Sequence, residues 1–194
     1  VDTKYKYQTK ENFSKNIKIL YPSRFTYNKG MLEVYKLCKK IEKENKNWKV
    51  YATASSELAL RNLKMFGLNY LPDNLDCIGW LDNKLLVKEF QKCDVVIYPT
   101  ICFESFGRIP IEAMSLSKPV ITSNAGGIFN LINHMEDGII VDPRDTQKFF
   151  IAINSILNNI ALYNKITFSG FKKVQKSFSY EKMEEKYLRI ILFI

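Results

Sequence analysis

Short apolar runs alternate with segments of helical periodicity along most of this 194-residue chain, and that alternation narrows the accessible folds more than any other feature. The runs are Ile17 to Tyr21, Trp48 to Ala52, Leu75 to Trp80, Val95 to Tyr98, Val120 to Thr122 and Ile139 to Val141. The run Asp94 to Tyr98 is short and bounded by turn residues, as a strand buried on both faces should be. Between them lie a helix with Met31, Val34, Tyr35, Cys38 and Ile41 on one face, a helix from an N-cap at Ser56 through Phe66 closed by Gly67, and helical segments near 84–92, 106–116 and 127–134. Repeated β-α units demand right-handed crossovers, so the predicted fold class is α/β, a Rossmann-like parallel sheet of about six strands with helices on both faces. Ligands of such sheets bind at the carboxyl ends of the strands.

Two more helices are expected after the sheet. One runs from about Asp145 to Leu162, with Phe149, Ile153, Ile156, Leu157 and Ile160 on a stripe, and a last one starts at Tyr180 and carries Met183, Tyr187, Ile190, Ile191 and Ile194. Residues 1–16 read as a lysine-rich linker or arm, residues 17–178 as one globular domain, and residues 179–194 as a helix whose apolar face needs cover from another domain.

With 46% apolar residues and no uninterrupted apolar run near ~20 residues, the chain can bury a sizeable core and offers no membrane-spanning segment. It opens on Val1 with no apolar leader, which reads as a piece of a longer cytoplasmic protein. Cys38, Cys77, Cys93 and Cys102 show no C-x-x-C spacing and sit in apolar settings, so reduced core thiols are expected and no metal site. The net charge of +9 favours an anionic partner: a nucleotide diphosphate, an acidic membrane surface met peripherally, or nucleic acid. The lysines are scattered and no nucleic-acid motif accompanies them, so nucleic acid is not expected. His134, the one histidine, reads as a surface or cap residue, and the chain has neither a Ser-His-Asp set nor a P-loop.

The densest chemistry lies in Tyr98-Pro-Thr-Ile-Cys-Phe-Glu104-Ser-Phe-Gly107-Arg-Ile-Pro-Ile-Glu112-Ala-Met114, a strand end, a small-residue turn and a helix start. Free helix N–H groups there suit a diphosphate. Glu112, eight positions after Glu104, lies about 7 Å beyond the helix start, an offset that suits a ribose, and a carboxylate matches a vicinal diol. Pro110 is tolerable only in a first turn, so the helix is expected to start later than Phe106.

These residues, with Lys118-Pro-Val-Ile-Thr-Ser-Asn-Ala-Gly126-Gly127 and Asp137-Gly-Ile-Ile-Val-Asp-Pro143, resemble the C-terminal, donor-binding domain of retaining GT-B glycosyltransferases of family 4. Tyr21-Pro-Ser-Arg24 through Lys29-Gly30-Met31, Phe178-Ser-Tyr180-Glu and the opening Val1-Asp2-Thr3 extend the likeness over nearly the whole chain. The resemblance implies that Arg24 and Lys29 hold the donor diphosphate and that Glu104 lies near the transferred sugar. It further implies that Glu112 binds the ribose, that Ser105, Phe106, Gly107 and Arg108 face the phosphates, and that Gly126 and Gly127 form a second glycine turn. Trp80 and Leu81 fall on the nucleobase-contacting segment, although a strand-end turn with a core tryptophan reads equally well from the residues alone. The implied substrate is a UDP-sugar or GDP-sugar, with no metal, and the acceptor would come from an N-terminal domain not present in this sequence. Asn130 departs from the family, which commonly has glutamate there. The competing reading is a non-catalytic α/β binding module whose basic face meets nucleic acid or membrane.

Overall fold

In the computed structural model, residues 5–178, together with Lys182 and Glu184, are described. Six parallel strands, β1 (Ile17–Tyr21), β2 (Trp48–Ala52), β3 (Leu75–Cys77), β4 (Val95–Tyr98), β5 (Val120–Thr122) and β6 (Ile139–Ile140), pair in the order β3-β2-β1-β4-β5-β6. Helices α1 (Met31–Lys43), α2 (Ser56–Lys64), α3 (Asn83–Lys92), α4 (Arg108–Ser115) and α5 (Ile128–Leu131) connect them, and α6 (Thr146–Leu157) and α7 (Ile160–Ser177) follow. The α/β Rossmann-like class read from the alternation is therefore the fold observed. Strand order reverses between β1 and β4, which makes their carboxyl ends the switch point at which such sheets open a crevice.

Successive strand residues point to opposite faces, and each face has its own core. Ile19, Tyr21, Val50, Val95, Ile97 and Ile121 pack with α1, α2 and α6, whereas Leu20, Val96, Tyr98 and Val120 pack with α3, α4 and α5. Helix α7 contributes Tyr163 and Ile166 to the first layer and Val174 to the second, so it ties the two together. Residues of the expected arm are held against it. Tyr7 donates from its hydroxyl to the Asn164 carbonyl at 3.1 Å, the Asn164 side chain bonds both backbone groups of Lys10, and the Lys10 ammonium pairs with buried Asp94 at 2.8 Å.

Several boundaries differ from the sequence reading. The helix expected over 145–162 is two, because Asn158 ends α6 and Asn159 caps α7 through its side chain. Helix α7 itself went unread: its buried stripe includes Thr167 and Gly170, which dilute the apolar signal. Strand β3 stops at Cys77, where Ile78 and Gly79 turn to donate to the Ala52 and Ala54 carbonyls. The cap of α2 is Ser55, not Ser56; its hydroxyl accepts from Leu58 N–H. Helix α4 starts at Arg108, with Pro110 in its first turn as the proline required, and α5 is one short turn rather than a segment to 134. The expected helix from Tyr180, apart from Lys182 and Glu184, and the Val1-Asp2-Thr3 match lie outside the described residues.

One glycine sets how close the two switch-point loops come. Gly30 sits at φ 84°, and a Cβ there would lie 2.1 Å from the Pro99 carbonyl oxygen. Gly67 also has positive φ, 76°, but an added Cβ meets nothing within 4 Å. Gly30→Ala should therefore lower stability by about 3 kcal/mol or more and Gly67→Ala by about 1 kcal/mol. Urea unfolding midpoints check this; equal losses would mean that backbone conformation, not the Pro99 contact, carries the requirement.

Candidate functional site

Three loops at the carboxyl edge build the site. The first follows β1, and its shape depends on buried Tyr21, whose hydroxyl lies 2.9 Å from the Arg24 carbonyl and 2.8 Å from that of Lys29. Burial pushes the Tyr21 hydroxyl well above its ordinary pKa, so it stays protonated, with its one proton shared between these two acceptors. The second loop follows β4 and is bonded to the first through Asn28. The Asn28 carbonyl accepts from Ile101 N–H at 3.1 Å, Cys102 N–H at 3.2 Å and the Thr100 hydroxyl at 3.2 Å. The third follows β5, where Gly126 and Gly127 lie against the backbone of Glu104 and Ser105. A Cβ on either would come within 2.4 Å of a carbonyl oxygen, and Gly127 N–H donates to the Glu104 carbonyl at 2.6 Å.

Where these loops meet, the Lys29 ammonium pairs with the Glu104 carboxylate, and each side chain is only 15% exposed. Four polar groups surround one oxygen, Oε1: Lys29 Nζ, the Tyr98 hydroxyl at 2.6 Å, the Cys102 thiol at 3.4 Å and the Thr100 hydroxyl at 3.1 Å, whose single proton is shared between Oε1 and the Asn28 carbonyl. Among the described residues none donates to Oε2. Burial raises the Glu104 pKa, but the bonds from Lys29, Tyr98 and Cys102 outweigh it and hold the carboxyl below its ordinary value. Burial, and then the Glu104 bond, push the Tyr98 hydroxyl far up. Cys102 is thus part of the site, whereas Cys38 and Cys93 are the core thiols expected; burial raises Cys93 to about 12.

Helix α4 opens on this loop. Gly107 caps it with φ 79°, and among the described residues no side chain accepts from its first turn, so the amides of Arg108 and Ile109 are left for a ligand while Pro110 has none to offer. Phe106 and Ser105 are exposed beside it.

The other expected site residues lie on the same edge without joining that cluster. Arg24 is exposed, and among the described residues its guanidinium makes no ion pair or hydrogen bond. Glu112 pairs with Arg108 at 3.0 Å and lines a cavity of about 260 Å³ between α3 and α4, with Asn83, Leu86 and Phe90. A separate cleft of about 650 Å³ lies over β4, β5 and β6, lined by Thr100, Phe103, Asn124, Asp142 and Arg144. Trp80 is 83% exposed in the loop after β3, which rules out the core-tryptophan reading, and Leu81 beside it is half-buried. His134 is exposed and accepts from Ile140 N–H at 3.0 Å. Among the described residues no group of three or more His, Cys, Asp or Glu is placed to hold a metal ion. Sequence reasoning missed Tyr21, Asn28, Tyr98 and Thr100; Tyr21 and Tyr98 end the apolar strands β1 and β4, where a sheet delivers them to the edge, and Asn28 and Thr100 lie in the loops that follow.

A doubly wound parallel sheet with a partly buried Lys-Glu pair and a glycine-capped helix start at its switch point is an α/β domain with the architecture of one half of a GT-B glycosyltransferase. Residues 3–173 match the family described as Glycosyl transferases group 1, and the chain belongs to that family. It is 25% identical, over 97% of its length and 50% of the relative's, to an uncharacterized glycosyltransferase of Methanocaldococcus jannaschii. The fold is shared with Anabaena HepE solved in complex with UDP-glucose (TM-score 0.77, 18% identity, 92% of this chain and 49% of that one). It is also shared with the C-terminal domain of a group 1 glycosyl transferase from Francisella tularensis (TM-score 0.68, 20% identity, 93% and 99%). The chain spans about half the length of the curated relatives it matches.

The pairing at the site has a measurable weight. Lys29→Ala and Glu104→Ala should each cost about 1–3 kcal/mol, and the double mutant should lose less than their sum, because each single change leaves a partly buried charge unpaired. Since the Glu104 pKa is lowered by folding, its contribution is present above the ordinary carboxylate range and lost as pH falls through the folded value. Glu104→Gln should flatten that acid-side loss; chemical unfolding across the acid range reads it, and an unchanged slope would place the pairing elsewhere.

Proposed function

We propose that the chain is the donor-binding domain of a retaining glycosyltransferase that moves a hexose from a nucleoside-diphosphate sugar, UDP- or GDP-linked, to an acceptor. The observation that carries the reading is the meeting of Lys29 and Glu104 at the switch point, beside the free amides of α4. In this reading the diphosphate lies on the Arg108 and Ile109 amides, with Phe106 and Gly107 alongside. Lys29 and Arg24 supply the cations. Transfer develops negative charge on the departing phosphate, and fixed cations with a helix N-terminus stabilise that charge without a metal. Glu112, already bonded to Arg108, accepts from the ribose diol, and Glu104 accepts from hydroxyls of the transferred sugar. HepE, which shares the fold, was solved with UDP-glucose, and that supports a nucleotide sugar as the ligand. Trp80 and Leu81, in the loop after β3, are assigned to the base in this reading.

The acceptor in this reading belongs to the half of its relatives' length that this chain does not span. A second domain would orient the acceptor and exclude water, contributions of about 7 kcal/mol or more to the barrier, so the chain alone is expected to bind donor and not transfer it.

Calorimetric titration with UDP, GDP and ADP should give binding to at least one. Arg24→Ala and Glu112→Ala should each weaken it about tenfold, near 1.4 kcal/mol. Absence of binding to all three nucleotides, or indifference of the bound one to both substitutions, would remove this assignment.

A further inference from the structure

The donors around Glu104 are not alike. Lys29 reaches the carboxylate on a flexible stem from the loop after β1, whereas Tyr98 is the last residue of β4 and is only 4% exposed. Its backbone carbonyl is tied to β5 by the Thr122 hydroxyl at 3.0 Å and by Ser123 N–H at 3.3 Å. A phenylalanine would fill the same space in the second core layer. What tyrosine adds is one hydroxyl in a place where a buried polar group is costly unless bonded, and its partners there are Glu104 at 2.6 Å and Lys29 at 3.5 Å.

A diphosphate carries more negative charge than one carboxylate, so an arriving donor competes with Glu104 for the Lys29 ammonium. Without other donors, Glu104 would lose both its counter-charge and its orientation just as the sugar arrives. Building on the donor-binding reading above, we propose that Tyr98 is a positioning residue: its hydroxyl holds Glu104 Oε1 when Lys29 turns to the ligand, and so keeps Oε2 turned to the sugar. Thr100 supports it from 3.1 Å. Among the described residues, the charged or titratable groups that face this carboxylate are Lys29 from the β1 loop, Tyr98 from β4 and Cys102 from the β4 loop, with Tyr21 of β1 nearby. The Tyr98 hydroxyl favours ionised Glu104, so its removal raises the pH at which that carboxyl takes up a proton.

The test uses the purified chain and its Tyr98→Phe variant, with the Glu104 carboxyl followed by carbon NMR and assigned through Glu104→Gln, and with UDP and UDP-glucose titrated calorimetrically. Tyr98→Phe is expected to move the Glu104 midpoint upward and to weaken UDP-glucose about tenfold while UDP changes less than about twofold, the gap widening as pH falls. An unmoved midpoint, or an equal loss for both ligands, overturns the proposal. Lys29→Met gives a second reading that does not depend on how Tyr98→Phe folds: the proposal expects Glu104 to stay ionised at neutral pH, and a neutral carboxyl there defeats it. If neither nucleotide binds the unmodified chain, the donor reading fails, while the two NMR midpoints still decide whether Tyr98 holds Glu104.

Discussion

Backbone meets backbone without intervening side chains where the loops after β1, β4 and β5 join, and the site depends on that closeness. Gly30 lets the start of α1 reach the Pro99 carbonyl, while Gly126 and Gly127 let the β5 loop lie on Glu104 and Ser105. The Asn28 carbonyl then serves three donors of the neighbouring loop. Because these loops are tied to one another rather than to solvent, Lys29 and Glu104, which are 75 positions apart in sequence, face each other with little freedom. Such preorganisation gives a fixed charge its worth, since no reorganisation is needed when a ligand's charge appears.

The electrostatics of the edge are local and differ from the overall balance. A net charge of +9 attracts any anion, but the site holds its own cation against a carboxylate, and exposed Arg24 makes no ion pair among the described residues. Elsewhere lysines serve the frame. Buried Lys118 donates to the Gln91 and Cys93 carbonyls at 2.9 Å each, and burial lowers its pKa; Lys173 pairs with buried Asp137 at 2.5 Å. Basicity therefore divides between structural cations that close helix ends and loops and the few that face the crevice.

Much of the fold was readable because strands buried on both faces leave unbroken apolar runs, as Val95 to Tyr98 does, and because Pro110 restricts where α4 can start. What escaped was governed by tertiary contact. Helix α7 hides Thr167 and Gly170 in its packed stripe, and Gly170 is there because α4 comes close: a Cβ would stand 3.0 Å from Met114. Asn158 and Asn159 divide two amphipathic patterns that are in phase enough to read as one. At the site, periodicity can point to Glu104 and Glu112, but only the resemblance indicated Arg24 and Lys29. Nothing local marked Tyr98, since a tyrosine ending an apolar strand looks like any other core aromatic until its hydroxyl is seen to have a carboxylate within reach.

The two tryptophans occupy opposite extremes. Trp48 is buried and stacked on Phe150 at 5.2 Å, while Trp80 stands in solvent beyond β3. The molecule thus carries two indole fluorophores in environments of different polarity, one blue-emitting and shielded from quenchers, the other red-emitting and open to them. A single emission spectrum with added iodide can therefore follow the integrity of the sheet and the exposure of the loop after β3 as separate signals, with no label attached.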